Sequence, residues 1–339
     1  MSSYRDGPLP YCRKDLRMRP ALGLHEITEE SLQFAKQIGV TDIVAIRPTG
    51  LVAADGPYYD YARLVQLRSQ IEAAGLRLSA IQNIPTEWYN KIVWNLPGRD
   101  EQIDYYCRTI ANVGRAGIPI LHYNFHALRV WRTSRHTRDR GGALVTSYDH
   151  SLMTNAPIIG PRELSEDELW DNFEYFLRRV IPVAEDVGLK MALHPDDPPV
   201  SPIGGAACLF VTMESFQRVL DLVPSPSNGL LFCNGCFAEM LGQGLFEAIK
   251  HFGKQGKIFY VHFRNIAGSP TNFRETFIDT GDIDMLSAMK AYYEVGFDGP
   301  MIPDHLPDII GDTPFRHIAN AYTIGYMRAL MKAVGVSTV

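Results

Sequence analysis

Residues 165–194 read SEDELWDNFEYFLRRVIPVAEDVGLKMALH, and this stretch predicts one helix followed by one strand. Ser165 followed three residues later by Glu168 is a capping-box pattern, so we expect the helix to begin here. Apolar residues then recur at helical spacing until Gly188, which is typical of a helix end. The short apolar run at residues 190–194 is typical of a strand that is buried on both faces.

The same alternation of a short apolar run and a longer amphipathic stretch repeats along the chain. Strands that alternate with helices predict a parallel sheet with right-handed crossovers, and eight such units fit a (β/α)8 TIM barrel. An open, doubly wound sheet would need a glycine-rich phosphate turn after its first strand, where this sequence reads His25-Glu26-Ile27. We predict the eight strands at residues 21–24, 42–46, 77–81, 119–123, 190–194, 229–233, 257–262 and 300–304.

The length of 339 residues would suit either two domains or one large barrel. Because no stretch rich in Pro, Gly or Ser is long enough to link two domains, we expect one TIM-barrel domain over residues 1–339. It would carry an N-terminal extension at residues 1–20 and a long loop insertion at about 124–161, after the fourth strand. This insertion is either a solvated surface excursion or a lid in which Arg132 binds an anionic substrate, since guanidinium groups pair well with carboxylates.

Composition excludes several classes of function. Lys and Arg number 33 against 38 Asp and Glu, which gives a net charge of −5 and no basic surplus for nucleic acid or anionic membranes. Five cysteines in a long chain favour a reducing compartment over a disulfide framework. With no signal-peptide pattern and no apolar run long enough to span a bilayer, we expect a cytoplasmic protein without membrane or nucleic-acid partners.

The last four predicted strands end in residues that can bind a metal ion. These residues are His194, Cys233, His262 and Asp304, and the carboxyl ends of barrel strands form the reactive face of this fold. Each residue alone is more often a core or capping residue, but four successive strand ends together favour a metal site. The mixed donor set is compatible with Mn²⁺, Fe²⁺, Co²⁺ or Zn²⁺. Four ligands could close a structural zinc site, whereas the position on the active rim favours a site open to substrate.

Two other patterns carry less information. Cys233 and Cys236 form a single CxxC without a second pair, so we expect Cys236 to be structural. His122 and His126 are four residues apart, but they lie where a strand runs into a loop. The two-histidine helix face of a metalloprotease therefore does not apply to them.

Several segments together make this sequence similar to the metal-dependent mannonate dehydratase family, over most of the chain from about Arg77 onward. The resemblance implies a barrel related to xylose isomerase, with Mn²⁺ held by the four strand-end residues and Fe²⁺, Co²⁺ or Mg²⁺ as alternatives. The matching segments are Leu96-Pro97-Gly98-Arg99-Asp100, Tyr123-Asn124-Phe125, Trp131-Arg132-Thr133, His194-Pro195-Asp196-Asp197-Pro198-Pro199, Phe232-Cys233, Val261-His262-Phe263-Arg264-Asn265 and Pro303-Asp304-His305.

The resemblance also implies roles for other residues. It makes His305 a catalytic acid or base, and it places Arg264, Asn124, Arg132 and Asp197 at the substrate. The family reaction removes water from D-mannonate to give 2-keto-3-deoxygluconate, so the chain would be a hydro-lyase with a small sugar acid as its partner. We further expect a homo-oligomer.

The chain departs from the family pattern at three places. Leu306-Pro307 follows the Asp-His pair where Gly-Arg is expected, residues 308–319 contain no Tyr, and Ile46-Arg47-Pro48 stands where a His pair is expected. The second proton-transfer residue therefore has no match. Two alternatives stay open: a sugar isomerase or epimerase that uses the same metal site, and a catalytically impaired homologue that binds sugar acids.

Overall fold

Twelve strands run through residues 18–336, which are the residues described by this computed structural model. Eight of them are parallel and close into a barrel in the order β1-β12-β9-β8-β7-β4-β3-β2, and the other four form a second sheet in the order β10-β11-β6-β5. The strands are β1 (Arg19–Leu24), β2 (Asp42–Ile46), β3 (Arg77–Gln82), β4 (Ile120–Tyr123), β5 (Ser134–Arg138), β6 (Leu144–Asp149), β7 (Lys190–Leu193), β8 (Asn228–Cys233), β9 (Ile258–His262), β10 (Ile266–Ser269), β11 (Asn272–Glu275) and β12 (Pro300–Ile302).

Helices surround the barrel and bury their apolar faces against it. The helix at residues 166–186 begins and ends where the sequence predicts: Ser165 accepts a hydrogen bond from the Glu168 amide at its start, and Gly188, with φ of 65°, follows its end. In the described part of the chain the helices are α1 (Glu29–Gln37), α2 (Tyr61–Ala73), α3 (Asn90–Val93), α4 (Arg99–Arg115), α5 (Glu166–Asp186), α6 (Met213–Leu222), α7 (Asn234–Leu241), α8 (Leu245–Lys254), α9 (Met285–Glu294) and α10 (His317–Ala333). None of the helices within residues 18–336 combines the length and apolar character needed to cross a membrane.

The predicted (β/α)8 barrel is confirmed, and all eight predicted strands are present with ends shifted by at most two residues. The first strand begins at Arg19 rather than at residue 21, because Arg19 and Pro20 pair with β12. The expected extension over residues 1–20 is therefore too long at its carboxyl end, and its residues 1–17 lie outside the described residues.

The expectation of a long loop after β4 is wrong in part, since the segment contains β5 and β6. Strand β6 pairs with β11 from the far end of the chain, with Tyr148 opposite Phe273. The guanidinium of Arg132 lies over the Phe273 ring, 4.9 Å from its centre, and the Leu144 amide donates to the Asp308 carbonyl after β12. The second sheet therefore packs against the loops at the carboxyl end of the barrel.

The interior of the barrel is filled by side chains of mixed size. Ala21, Ala80 and Ala192 leave room for Leu231 and Tyr260, and all five are fully buried. Layers of this kind make the barrel a packed core, so the space for a ligand is at the strand ends.

Candidate metal centre and active site

Three of the four residues predicted as metal ligands meet at the carboxyl end of the barrel. His194 directly follows β7, Cys233 is the last residue of β8, and His262 is the last residue of β9. Cys233 and His262 are paired in register, so their side chains leave the sheet side by side. One donor atom from each of the three residues lies within 4.8 Å of the other two, and all three side chains are buried.

Polar contacts orient both imidazoles of this cluster. Nδ1 of His194 donates to the Pro195 carbonyl at 2.7 Å, which leaves Nε2 with a lone pair. Nε2 of His262 lies 3.2 Å from Oε1 of Gln82, and Nδ1 lies 3.3 Å from Oδ2 of Asp304. Asp304 thus adjoins the three-residue cluster through His262. His194 keeps Nε2 available to a cation. Burial lowers the pKa of His262, but the Asp304 carboxylate outweighs it and raises that pKa to about 9, so a cation would replace the proton on this ring.

Arg264 follows β9 and contacts both cysteine sulfurs. Its Nε donates to Sγ of Cys233 and its Nη2 to Sγ of Cys236, each at 3.3 Å. Burial by itself raises the pKa of the Cys233 thiol, but the hydrogen bond from Cys236 and the charge of Arg264 outweigh it and lower that pKa well below its ordinary value. Cys233 is therefore held as the thiolate, the form that binds metals.

A second group of buried donors already has a cationic partner. One donor atom each from Asp197, Cys236 and Glu239 lie within 4.8 Å of one another. Arg264 contacts all three, at 3.0 Å from Asp197, 3.3 Å from Cys236 and 3.1 Å from Glu239. The Arg264 guanidinium therefore supplies the positive charge that these three donors would otherwise take from a metal ion.

The arginines expected at the substrate are both paired with protein carboxylates. Arg132 donates to both oxygens of Asp197 and, at 2.7 Å, to Glu275, while Arg264 donates to Glu275 at 2.8 Å. Burial raises the pKa of Asp197, but Arg132 and Arg264 outweigh it and lower that pKa to about 2. Burial and the Asp197 charge raise the pKa of Glu239 well above its ordinary value.

His305 lies at the wall of a cavity beside this network. The barrel strand ends at Ile302, and His305 has φ of 47°, a left-handed conformation that lets it share the rim with Asp304. Its Nδ1 lies 3.5 Å from Oε1 of Glu275 and its Nε2 lies 3.7 Å from Oδ2 of Asp304. The cavity has a volume of about 320 Å³ and is also lined by Arg132 and Arg135.

Sequence reasoning missed three residues of the site. Glu239 and Glu275 lie on α7 and on the second sheet, where no spacing pattern points to the barrel rim. His122 is buried on β4, and its ring centre lies 5.5 Å from that of His194. The strand-end rule could have found His122, because it is the penultimate residue of its strand. Asn124, predicted to bind substrate, lies half-buried directly after this strand.

Comparison with known proteins decides the family. The family model described as D-mannonate dehydratase (UxuA) matches residues 25–160 and 159–338. The chain belongs to the mannonate dehydratase family. It is 33% identical over 303 residues to mannonate dehydratase 2 of Halalkalibacterium halodurans, a match that covers 81% of this chain and 86% of that protein. It is 32% identical over 288 residues to mannonate dehydratase of Thermotoga maritima, a match that covers 74% of this chain and 78% of that protein.

Solved structures agree with this family and with the fold. The crystal structure of mannonate dehydratase from Streptococcus suis serotype 2 superposes with a TM-score of 0.82 at 30% identity, over 95% of this chain and 96% of that one. L-ribulose 3-epimerase superposes with a TM-score of 0.60 at 14% identity, over 94% of this chain and 95% of that one, which shows a shared fold alone. The sequence-based interpretation as a mannonate dehydratase family member is therefore confirmed, and the isomerase alternative is not favoured.

Proposed function

We propose that this protein is a metal-dependent hydro-lyase that converts D-mannonate to 2-keto-3-deoxygluconate and water. Membership of the family supports this reaction. The observation that carries it is the cluster of His194, Cys233 and His262, which Asp304 links to His305 at the cavity wall. A cation-binding cluster beside a titratable group is what proton removal next to a carboxylate requires.

The donor atoms fit a divalent transition metal held by His194, Cys233, His262 and Asp304. Two imidazole nitrogens, a thiolate and a carboxylate favour such an ion over Ca²⁺. We propose Mn²⁺, with Fe²⁺, Co²⁺ or Mg²⁺ as alternatives. When bound, a divalent cation supplies positive charge that stabilises the negative charge developed on the substrate carboxylate during proton loss.

We assign the movement of a proton to His305. His305 lines the cavity, and the Glu275 carboxylate lies 3.5 Å from its Nδ1, close enough to orient the ring. Dehydration removes the proton on C2 of the sugar acid and adds a proton to the hydroxyl that leaves C3. A positioned imidazole contributes about 10²–10⁴-fold to such a transfer.

Arg264 and Arg132, which are paired with protein carboxylates, position other groups of this site. Arg264 donates to Cys233 and to Asp197, so we propose that it positions the thiolate and the rim loops. Arg132 lines the cavity while it stays paired with Asp197, and we propose that its positive charge attracts an anionic substrate. Asn124 supplies a neutral amide for a sugar hydroxyl. The homo-oligomeric state and the cytoplasmic location stay predictions.

The test of this function is a product assay. The purified protein is stripped with a chelator, reloaded with Mn²⁺ and incubated with D-mannonate, D-gluconate and other aldonic acids. We expect a 2-keto-3-deoxy acid, seen by mass spectrometry as loss of one water, from the reloaded sample and not from the stripped one. Conversion without a change in mass would instead indicate an isomerase or epimerase. Binding of these acids without any conversion would indicate a sugar-acid-binding homologue.

A further inference from the structure

His122 is a buried histidine at the site to which the proposed reaction gives no role. It lies on β4 with 1% of its surface exposed. Its ring centre lies 5.5 Å from that of His194 and 6.2 Å from that of His262. The His122 side chain therefore points into the barrel mouth beside the candidate metal ligands.

One hydrogen bond fixes the tautomer of His122. The backbone amide of Asn83 donates to Nδ1 at 3.2 Å, so Nδ1 is an acceptor and the proton of the neutral ring is on Nε2. Among residues 18–336, Nε2 forms no hydrogen bond. Buried polar groups nearly always have a partner, so a buried N–H donor in a site of this kind indicates a group that arrives with the ligand.

Asn124 carries a matching free acceptor. It lies two residues after His122, just beyond the end of β4. Its Nδ2 donates to Oδ1 of Asn83 at 3.1 Å, while its own Oδ1 has no partner in the described part of the chain. Asn83 thus orients both side chains, one through its backbone and the other through its side chain.

We propose that His122 and Asn124 together recognise one hydroxyl group of the substrate and so determine which sugar acid is accepted. A hydroxyl both accepts and donates, so it can take the Nε2 proton of His122 and donate to Oδ1 of Asn124. A carboxylate could satisfy only the first of these groups, because it has no proton to donate. This inference rests on the proposed function, since it assumes a polyhydroxy acid at this site.

The same geometry argues against a role for His122 as a metal ligand. A ligand needs a free lone pair, and the lone pair of Nδ1 already accepts the Asn83 amide. Nε2 carries the proton, and the three donors within 4.8 Å of one another are His194, Cys233 and His262. His122 is therefore a hydrogen-bond donor to substrate in this arrangement.

The test measures affinity rather than turnover. Dissociation constants of the Mn²⁺-loaded protein are determined by calorimetry for D-mannonate and for analogues that each lack one hydroxyl. His122→Phe keeps a ring of similar size and removes the donor, and Asn124→Ala removes the acceptor. We expect each variant to bind D-mannonate about tenfold more weakly than the wild type does. For one deoxy analogue, the one that lacks the recognised hydroxyl, we expect the wild type and both variants to show the same dissociation constant. His122→Gln restores an N–H donor and should recover part of the affinity.

The outcomes separate this inference from the proposed function. Loss of bound metal in His122→Phe would make His122 a ligand and overturn the inference alone. If both substitutions weakened the binding of every analogue equally, the inference would also be overturned, because no single hydroxyl would then contact His122 and Asn124. Failure of the wild type to bind any sugar acid would overturn the proposed function and this inference with it. If His122→Phe does not fold, Asn124→Ala at its half-buried position decides: it should weaken binding of D-mannonate and leave binding of one deoxy analogue unchanged.

Discussion

The carboxylate of Asp197 accepts a hydrogen bond from Arg264, whose Nη2 lies 3.0 Å from Oδ2. Asp197 follows β7 and Arg264 follows β9, so this bond spans the intervening strand β8. Arg264 also donates to Cys233 at the end of β8. The three strands that supply His194, Cys233 and His262 are thereby joined by one buried ion-pair network.

Asp197→Asn should be strongly destabilising. The change removes the charge that compensates Arg132 and Arg264, and loss of one partner from a buried ion pair costs about 3–5 kcal/mol. We expect a drop of this size in the free energy of unfolding, measured by urea denaturation. Glu174→Gln is the matched control, because it breaks the exposed pair with Arg178 and should cost less than about 1 kcal/mol. Similar values for the two variants would contradict the proposed importance of the buried network.

The barrel and the candidate ligands could be predicted from sequence for a physical reason. Strands buried on both faces are short apolar runs that stand out against amphipathic helices. In a parallel barrel every such run brings its last residues to the same rim, so the ends of runs identify His194, Cys233 and His262 without tertiary information. The same reasoning gives Asp304, although its strand ends at Ile302 and the chain turns at His305.

The rest of the site depends on contacts that sequence spacing does not encode. Glu275 reaches Arg132 and Arg264 because β11 pairs with β6 in a second sheet, and these two strands are far apart in the chain. Glu239 lies on α7, whose residues 234–239 are all buried, and Arg264 donates to it at 3.1 Å. Such carboxylates are recognisable only once their cationic partners are placed.

Cys233→Ala should release the metal ion. The thiolate is one of the three donors within 4.8 Å of one another, so its loss should weaken Mn²⁺ binding by more than the ~10–100-fold that loss of an outer-sphere partner costs. Metal content after dialysis, measured by elemental analysis, checks this. Cys107→Ala is the control, since Cys107 lies on α4 and should keep full metal content. An unchanged metal content in Cys233→Ala would remove Cys233 from the ligand set.

His305→Asn should keep the metal and lose turnover. Asparagine retains a polar side chain at the cavity wall but cannot exchange a proton, so we expect kcat to fall by about 10²–10⁴-fold with D-mannonate. Metal content should stay at the wild-type level. The control is His251→Asn on the exposed face of α8, which should leave kcat unchanged. Retained activity in His305→Asn would mean that another group moves the proton.

Substitution of Gly268 should destabilise the hairpin that β10 and β11 form in the second sheet. Gly268 in β10 has φ of 128°, and a Cβ atom there would lie 2.2 Å from the Asn272 carbonyl oxygen. Gly268→Ala should therefore cost about 1–3 kcal/mol of local stability and loosen β11, which carries Glu275. Hydrogen exchange at residues 266–275 should become faster, and kcat with D-mannonate should fall because Glu275 orients His305.

Gly325→Ala on α10 is the contrasting substitution. In the described chain a Cβ at Gly325 would meet no atom within 4 Å beyond the backbone of its own helix, so alanine should stabilise the helix by about 0.5–1 kcal/mol. It should leave hydrogen exchange at residues 266–275 and kcat as they are. If Gly268→Ala also left both quantities unchanged, the second sheet would have no part in holding Glu275 against His305.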